Sequence, residues 1–210
     1  MRSEENEVRQ VTCMCETQFD ADLPEEIDLD STPGIMEDIL KGDFLAVSCP
    51  SCGTRLKPEL RVRLTSKKTN LDVVMLPELE RTSLYGGKAG IPAGAEAVVG
   101  YAELFERAKI LSDGLDPVTV ELLKYFLVQK AEEQAPEADI SVAYAGKKDG
   151  KLAFHLSGLK EGQVAVLPID PSTYTKTFAD KPRSLLEAPF DRLFKGPYRS
   201  IRMLETEAEE

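Results

Sequence analysis

Cys13-Met14-Cys15 and Cys49-Pro50-Ser51-Cys52-Gly53 hold all four cysteines of this 210-residue chain, and 33 residues separate the two stretches. Each stretch is short enough to form one tight turn that presents two sulfurs. Two such pairs of thiolates supply the four ligands of a tetrahedral Zn²⁺ site. The sequence therefore predicts that Cys13, Cys15, Cys49 and Cys52 bind one zinc ion.

The second stretch has the more specific pattern. Pro50 restricts the backbone at the start of the turn, and Gly53 can adopt the positive φ that directs backbone N–H groups toward the sulfurs. Such cysteine turns, called knuckles below, are typical of rubredoxins and zinc ribbons. The first stretch has one spacer residue fewer, so we expect Cys13 and Cys15 to form a smaller chelate with fewer N–H groups directed at sulfur.

Three other interpretations of the cysteines are open: disulfides, a rubredoxin-type iron site, and four unrelated buried thiols. Residues 1–7 have no apolar core, so we expect no secretory signal, and disulfides are disfavoured. The absence of a second Cys-x-x-Cys disfavours iron, although four sulfur ligands alone do not distinguish the two metals. Unrelated thiols seldom occur as two close pairs, so zinc is the favoured interpretation.

Several further residues carry a resemblance to a known family. The chain resembles the CpXC proteins of bacteria, a largely uncharacterised family named for two Cys-Pro-x-Cys motifs. The matching stretches are Thr12 to Cys15, Gly42 to Gly53, Val98 to Leu104 and Leu115 to Pro117. The resemblance implies a metal site on the same four cysteines and no established activity. Cys13-Met14-Cys15 departs from the family pattern because it lacks the proline and one spacer.

The composition indicates a soluble, cytoplasmic protein. With 42% hydrophobic residues, a chain of this length can bury a core, and we expect two small domains. No apolar run approaches the length of a membrane span, so we expect no membrane partner. The net charge of −11 favours solubility and repels polyanions at long range.

The predicted fold class is α+β, with a β-rich, zinc-ribbon-like metal domain followed by a second domain that has a helical hairpin and a small antiparallel sheet. The predicted organisation is a metal-binding domain at residues 1–79, a Gly/Pro-containing connection at 80–96, an α+β domain at 97–204 and a solvated acidic tail at 205–210.

In the first domain, alternating apolar and acidic residues from Phe19 to Asp30 predict a half-buried strand that Pro24 interrupts. A short helix is predicted from Ile35 to Lys41, ended by Gly42. Residues 55–64 alternate basic with apolar side chains, which predicts a strand, and residues 71–76 form a compact apolar strand.

In the second domain, apolar positions predict a helix that contains residues 104–111, and Asp116-Pro117 signals the start of the next helix. Three strands are predicted at 140–145, 152–156 and 164–169. The region after Pro171 is mixed, with a short helix between Pro189 and Gly196 and a strand over 198–204.

A basic strip beside the second knuckle raises the hypothesis of nucleic-acid binding. It consists of Arg55, Lys57, Arg61, Arg63, Lys67 and Lys68. No aromatic residues interleave with it, and the acidic residues between Asp20 and Asp30 are available to pair with it across strands. We therefore expect a paired or solvated sheet face and no nucleic-acid partner.

The enzyme hypothesis has little support. His155 is the single histidine, and the alternation around it directs it away from the apolar face. Four cysteine ligands would leave zinc no open position for water, so we expect no catalytic residues and no further cofactor. The predicted function is a structural zinc protein that binds an unknown protein partner. The thiol spacing is also similar to the zinc switch of the redox-regulated heat-shock chaperone, which makes a redox-switched zinc-thiolate protein the alternative. The sequence does not predict the oligomeric state.

Overall fold

The computed structural model describes residues 8–205, which form an α+β protein with several small sheets, so the predicted class is confirmed. The chain divides into two compact units between Phe105 and Glu106. The N-terminal residues 1–7 and residues 206–210 of the predicted acidic tail lie outside the described part. Within residues 8–205, no helix has the length and apolarity needed to cross a bilayer.

The first unit contains the strands around the cysteines. Its elements are β1 (Val8–Thr12), β2 (Gln18–Asp22), β3 (Glu26–Asp28), α1 (Ile35–Lys41), β4 (Val47–Ser48), β5 (Arg55–Leu56), β6 (Val62–Ser66), β7 (Leu71–Leu76), α2 (Arg81–Tyr85) and β8 (Glu96–Val99). β1 and β2 form one antiparallel hairpin, and β4 and β5 form another. The remaining strands form a four-stranded sheet in the order β3-β6-β7-β8.

The four-stranded sheet carries the core of the first unit. β3 runs parallel to β6 and β8 runs parallel to β7, whereas β6 and β7 are antiparallel. Val62 and Leu64 of β6 are buried at alternate positions, and all residues from Val73 to Leu76 of β7 are buried. A continuous buried run is typical of a strand that is covered on both faces. The Gly-rich loop at residues 86–95 leads from α2 to β8 within this same unit.

Most local predictions for the first unit are confirmed. α1 has the predicted bounds and ends at Gly42, whose φ of 76° is left-handed. The predicted interruption at Pro24 separates β2 from β3. The strand predicted over residues 55–64 is wrong in extent, because residues 57–61 leave strand geometry between β5 and β6. Pro58 lies in this gap, and proline has no N–H to donate to a ladder.

The second unit combines a three-stranded sheet with a central helix. α3 (Gly100–Ser112) spans the division between the units, and the later elements are α4 (Pro117–Glu132), β9 (Ser141–Lys148), β10 (Lys151–Ser157), β11 (Ala165–Ile169), α5 (Pro171–Ser184), α6 (Phe190–Leu193) and α7 (Arg202–Glu205). The sheet is antiparallel in the order β11-β10-β9, so the three predicted strands are confirmed. α4 is buried from Thr119 to Lys124 and packs against β9 and α5.

Two helices of the second unit begin with the same signal. Asp116 caps α4 by accepting the N–H of Thr119 at 2.8 Å, which confirms the predicted start at Pro117. Asp170 caps α5 by accepting the N–H of Ser172 at 2.9 Å, yet α5 was not predicted. Few of its residues are apolar and none is fully buried, so it lacks the buried apolar stripe that α4 has.

The C-terminal predictions are partly wrong. The short helix between Pro189 and Gly196 is confirmed as α6. The strand predicted over residues 198–204 is wrong, because the chain forms α7 from Arg202 to Glu205. Here Phe190, Leu193, Phe194 and Ile201 pack around Leu122 of α4. Burial against α4 determines the local structure here. The alternation of apolar residues in the sequence does not reveal this burial.

Candidate metal centre

The four predicted site residues lie at the tips of the two hairpins of the first unit. Cys13 and Cys15 lie in the turn between β1 and β2, and Cys49 and Cys52 lie in the turn between β4 and β5. In each turn the N–H of the first cysteine donates across the turn at 2.9 Å, from Cys13 to the Thr17 carbonyl and from Cys49 to the Thr54 carbonyl. Each hairpin therefore presents one pair of sulfurs from a closed tip.

The two tips share a left-handed residue directly after their second cysteine. Gly53 follows Cys52 with φ of 72°, as its sequence position predicts, and its N–H donates to the Cys49 carbonyl at 2.9 Å. Glu16 follows Cys15 with φ of 66°, and its N–H donates to the Cys13 carbonyl at 2.9 Å. A non-glycine residue thus takes the place of the glycine in the shorter knuckle, which sequence reasoning missed.

The sulfurs converge to the size of a tetrahedral site. Cys13 Sγ lies 3.6 Å from Cys52 Sγ, and Cys15 Sγ lies 3.7 Å from Cys49 Sγ. All four sulfurs lie within 4.8 Å of one another. A tetrahedral zinc ion with Zn–S bonds of about 2.3 Å has sulfurs about 3.8 Å apart. The cysteines are free thiols, so the convergence is not due to a disulfide.

Burial divides the ligand set in the same way in both hairpins. The first cysteine of each tip is buried, with 3% of Cys13 and 2% of Cys49 exposed, whereas Cys15 and Cys52 are exposed. Each of the two short sulfur contacts joins the buried cysteine of one hairpin to the exposed cysteine of the other. The site has a shielded side and a side open to solvent.

Two threonine hydroxyls support the exposed sulfurs. Thr17 Oγ1 lies 3.3 Å from Cys15 Sγ, and Thr54 Oγ1 lies 3.1 Å from Cys52 Sγ. Both threonines stand two residues after their cysteine, so a Cys-x-Thr pattern occurs in both knuckles. Sequence reasoning missed these residues, although the repeated pattern was a usable signal. Such outer partners orient ligands and adjust their basicity.

The hydroxyls also make the exposed thiols more acidic. Hydrogen bonds from the side chain and backbone of Thr17 lower the pKa of Cys15 to about 6, and those from Thr54 lower the pKa of Cys52. The backbone N–H of Cys15 lowers the pKa of Cys13, but burial and the neighbouring thiols together raise it to about 12. A metal that binds here must displace a proton from Cys13, so its binding depends on pH.

An apolar cluster connects the bodies of the two hairpins. Val11 of β1 and Ala21 of β2 are buried with Leu23, and Phe19, Leu45, Val47, Leu56 and Leu60 pack around them. The cluster contains residues of both hairpins and of the segments that follow them. The hairpins are thus joined by apolar contacts along their length and by sulfurs at their tips.

The basic strip beside the second knuckle is largely neutralised by nearby acids. Arg63 donates two hydrogen bonds to Asp72, at 2.8 and 2.7 Å, and lies 3.5 Å from Glu26. Arg55 pairs with Asp43, and Arg61 pairs with Glu80 at 2.5 Å. Of the predicted acidic partners, Glu26 and Asp30 contact residues of the strip. Asp30 accepts the backbone N–H groups of Lys67 and Lys68.

A second charged cluster, which sequence reasoning missed, lies inside the second unit. Lys124 Nζ lies 2.8 Å from a Glu121 carboxylate oxygen and 3.1 Å from one of Glu106, and only 2% of the Lys124 side chain is exposed. The other carboxylate oxygens accept backbone N–H groups, from Tyr144 to Glu106 and from Ile201 to Glu121. The cluster therefore joins α3, α4, β9 and the C-terminal segment.

Each charged nitrogen and oxygen atom of the cluster has a hydrogen-bond partner, and this fits a structural role. Burial raises the pKa of Glu106. Burial also lowers the pKa of Lys124, but the two carboxylates outweigh it, so the pKa is raised and the ammonium is retained. His155, the histidine weighed for catalysis, lies exposed on β10 opposite Ala143 and Val166, neither of which is an acid or base. Within residues 8–205, the four cysteines are the one close group of three or more potential metal ligands.

Comparisons with known proteins cover the part of the chain that contains the four cysteines. A family model described as "CpXC protein" matches residues 11–124, a stretch that contains all four cysteines. The chain is also similar to a protein of Treponema pallidum (strain Nichols) that carries the name "Uncharacterized protein". The two are 29% identical over 220 residues, which covers 95% of this chain and 99% of the relative. No solved structure matches the chain.

Proposed function

The chain belongs to the CpXC family, and from that premise we propose that it is a structural zinc protein that binds a protein partner. Cys13, Cys15, Cys49 and Cys52 would hold one Zn²⁺ between the two hairpins, in an arrangement that resembles a zinc ribbon. The observation that carries the proposal is the convergence of four sulfurs from two separate hairpins to within 4.8 Å. Four free thiols so close together are what a zinc or iron ion requires.

The hairpins give a physical reason for a metal. Isolated two-stranded hairpins are marginally stable in water, and β4 and β5 contribute only two residues each. A structural zinc ion contributes on the order of 10 kcal/mol, which is comparable to the whole stability of a small domain. The metal would therefore fix the first unit in one conformation. The ion would stabilise the fold and would not take part in a reaction, since four cysteine ligands leave no position for a substrate.

The chemistry of the site supports the proposed partner-binding role in the cytoplasm. Zinc held by four thiolates needs reduced cysteines, and the cytoplasm keeps thiols reduced. Nucleic acid is disfavoured as a partner because the basic strip meets acids on its own surface and the net charge of the chain is −11. With nucleic acid disfavoured, we propose a protein as the binding partner of this metal-stabilised unit.

Metal analysis tests the proposal directly. Protein prepared with reductant, zinc and iron both present should contain one zinc ion per chain, without the visible absorption of an iron–thiolate site. Cys52→Ser should reduce the bound zinc, and Ser51→Ala, a neighbouring change on the same turn, should leave it unchanged. A wild-type chain without bound metal would contradict the proposal, and iron at full occupancy would replace the proposed metal.

The exposure of Cys15 and Cys52 favours a second candidate, a redox-switched zinc protein. Peroxide would take two electrons from two thiolates, which form a disulfide, and with two protons it would be reduced to two water molecules. For a structural site we expect slow zinc release by dilute peroxide and no new activity. Fast release that dithiothreitol reverses, together with suppression of aggregation of a client protein, would favour the switch.

A further inference from the structure

An apolar groove of about 400 Å³ lies beside the first hairpin, and it is called the β1 groove below. One bank is β1 itself, and the other bank is residues 56–60, of which Leu56 alone belongs to a strand. Val11, Leu23, Leu56 and Leu60 supply apolar lining, and Arg9 and Lys57 are its charged residues. The four consecutive residues from Arg9 to Thr12 line it, which places the groove along the edge of the strand.

Within residues 8–205, the edge of β1 at this groove has backbone hydrogen-bonding groups that no other strand uses. Cys13 donates its N–H to Thr17, so Val11 and Arg9, at alternate positions, are the other residues that bond to β2. The N–H and C=O groups of Gln10 and Thr12 therefore point away from β2. Such an edge is a template for an added strand.

On the opposite bank, Lys57 directly follows β5 and lines the groove. Cys49 donates its N–H to Thr54, so Leu56 is the next residue that bonds to β4, and the backbone of Lys57 points away from it. The structure has no backbone hydrogen bond between β1 and residues 56–60. The edge of β1 thus faces residues 56–60 across the groove without pairing with them.

The charge of the groove selects the chemistry of its occupant. Among the described residues that line it, two are cations and none is an acid, in a chain with a net charge of −11. Arg9 pairs with Glu25, whereas Lys57 has no carboxylate partner within the described residues and lies 5.6 Å from the ring centre of Tyr101. Glu59, the nearest acid along the bank, instead accepts the N–H of Glu78 at 3.0 Å.

We propose that the β1 groove binds an extended segment of a partner protein as an added strand, with alternate apolar side chains in the groove and a carboxylate beside Lys57. Main-chain hydrogen bonds to Gln10 and Thr12 would give affinity, and the apolar lining and Lys57 would give selectivity. The inference deepens the proposed function and rests on it for the partner-binding role. It assigns that role to one edge of the hairpin that carries Cys13 and Cys15.

Three synthetic peptides of nine residues test the proposal, each with valine at alternate positions and aspartate, serine or lysine between them. Peptide binding to the zinc-loaded protein is followed by fluorescence polarisation and by the amide NMR shifts of Gln10, Thr12 and Lys57. We expect the aspartate peptide to bind and to shift these amides, and the lysine peptide to bind at least about tenfold more weakly. Absence of binding by all three at about 1 mM would overturn the proposal.

Matched variants separate the backbone contribution from the charge contribution. Gln10→Pro removes an N–H that points into the groove and should abolish binding, whereas Gln10→Ala keeps that N–H and should bind normally. Lys57→Glu should weaken the aspartate peptide about tenfold, and Lys67→Glu, a lysine of the same unit outside the groove, should not. Equal effects of Lys57→Glu and Lys67→Glu would overturn the assigned role of Lys57.

Zinc content measured in the same samples distinguishes this inference from the proposed function. Zinc-loaded protein that binds no peptide would overturn the proposal for the β1 groove and leave the proposed metal site unaffected. Peptide binding at Gln10 and Thr12 in protein that takes up no zinc would contradict the proposed metal site and support peptide binding by the β1 groove. Self-association that Gln10→Pro abolishes, without peptide binding, would make a second copy the occupant and overturn the proposal.

Discussion

The hairpin of β1 and β2 and the helix α4 differ in how much of their surface is covered by neighbouring residues. β1 and β2 each bury one of five residues, Val11 and Ala21, whereas α4 buries six consecutive residues from Thr119 to Lys124. The hairpin has little apolar burial with which to offset the entropy of ordering its backbone. The helix has enough apolar burial to offset this entropy, and it also buries Lys124. A cross-link at the cysteines would therefore stabilise the first region, whereas the second region has apolar burial of its own.

Replacement of one cysteine of the metal site should have the largest difference in effect between the hairpins and α4. We expect Cys49→Ser to lose zinc and to unfold the two hairpins, because on the order of 10 kcal/mol of metal binding is withdrawn. α4 and the sheet of β9 to β11 should keep their protection, since they belong to the other unit. Amide hydrogen exchange with and without zinc measures both. Equal loss of protection in α4 would contradict the comparison.

Truncation of Lys124 should have the opposite pattern. Lys124→Ala leaves Glu106 and Glu121 buried without their cation, and breaking a buried pair costs about 3–5 kcal/mol. We expect the second unit to lose that stability while zinc binding stays unchanged. Lys130→Ala, an exposed lysine of the same helix, is the control. Urea unfolding followed together with zinc content measures the effect, and a Lys124→Ala protein as stable as the control would refute it.

The threonine hydroxyls should affect zinc retention without affecting α4. Thr54→Val removes the hydroxyl beside Cys52 and keeps the shape of the side chain, so we expect zinc affinity to fall about tenfold. Thr17→Val should act similarly through Cys15. Competition with a zinc chelator measures the affinity. Thr32→Val, on a half-buried threonine outside the knuckles, should leave zinc affinity unchanged, and an equal loss of affinity there would contradict the assigned role of the hydroxyls.

The cap of α4 gives the smallest expected effect. Thr119 and Lys181 lower the pKa of Asp116 more than burial raises it, so the folded pKa lies below the ordinary value of 3.8. A lowered carboxyl pKa contributes stability that is present above 3.8 and is lost as pH falls through the folded pKa. Asp116→Asn keeps a capping side chain but should abolish this acid-dependent part. It should cost about 1 kcal/mol or less at neutral pH. Urea unfolding at several pH values, with Asp170→Asn as the exposed counterpart, measures it.

The knuckles and helix starts were predictable where a single residue type decides the backbone. Gly53 was identified because a positive φ favours glycine, but Glu16 was not, because the turn rather than the residue imposes its conformation. Asp116 identified α4 because an apolar stripe follows it. Asp170 carries the same cap without such a stripe, so the signal for α5 was not sufficient.

Long-range partners were the least predictable part of the structure. The acidic strand was expected to pair with the basic strip, yet Arg63 makes its closest pair with Asp72 of β7. The burial of Lys124 depends on Glu106, which is 18 residues earlier, and on the approach of the C-terminal segment to Glu121. Such contacts are set by tertiary packing, so residue spacing alone does not reveal them.

The crossed sulfur contacts have a consequence for the length of the chain between the knuckles. They join positions 34 and 39 residues apart, so a bound metal closes a loop that includes β2, β3 and α1. Loop-closure entropy grows only with the logarithm of length, and doubling a flexible loop costs about 0.6 kcal/mol. Insertions beside α1 should therefore be tolerated far better than a single added residue within either knuckle. Among homologues, we expect the spacing between the two cysteine pairs to vary more than the spacing within them.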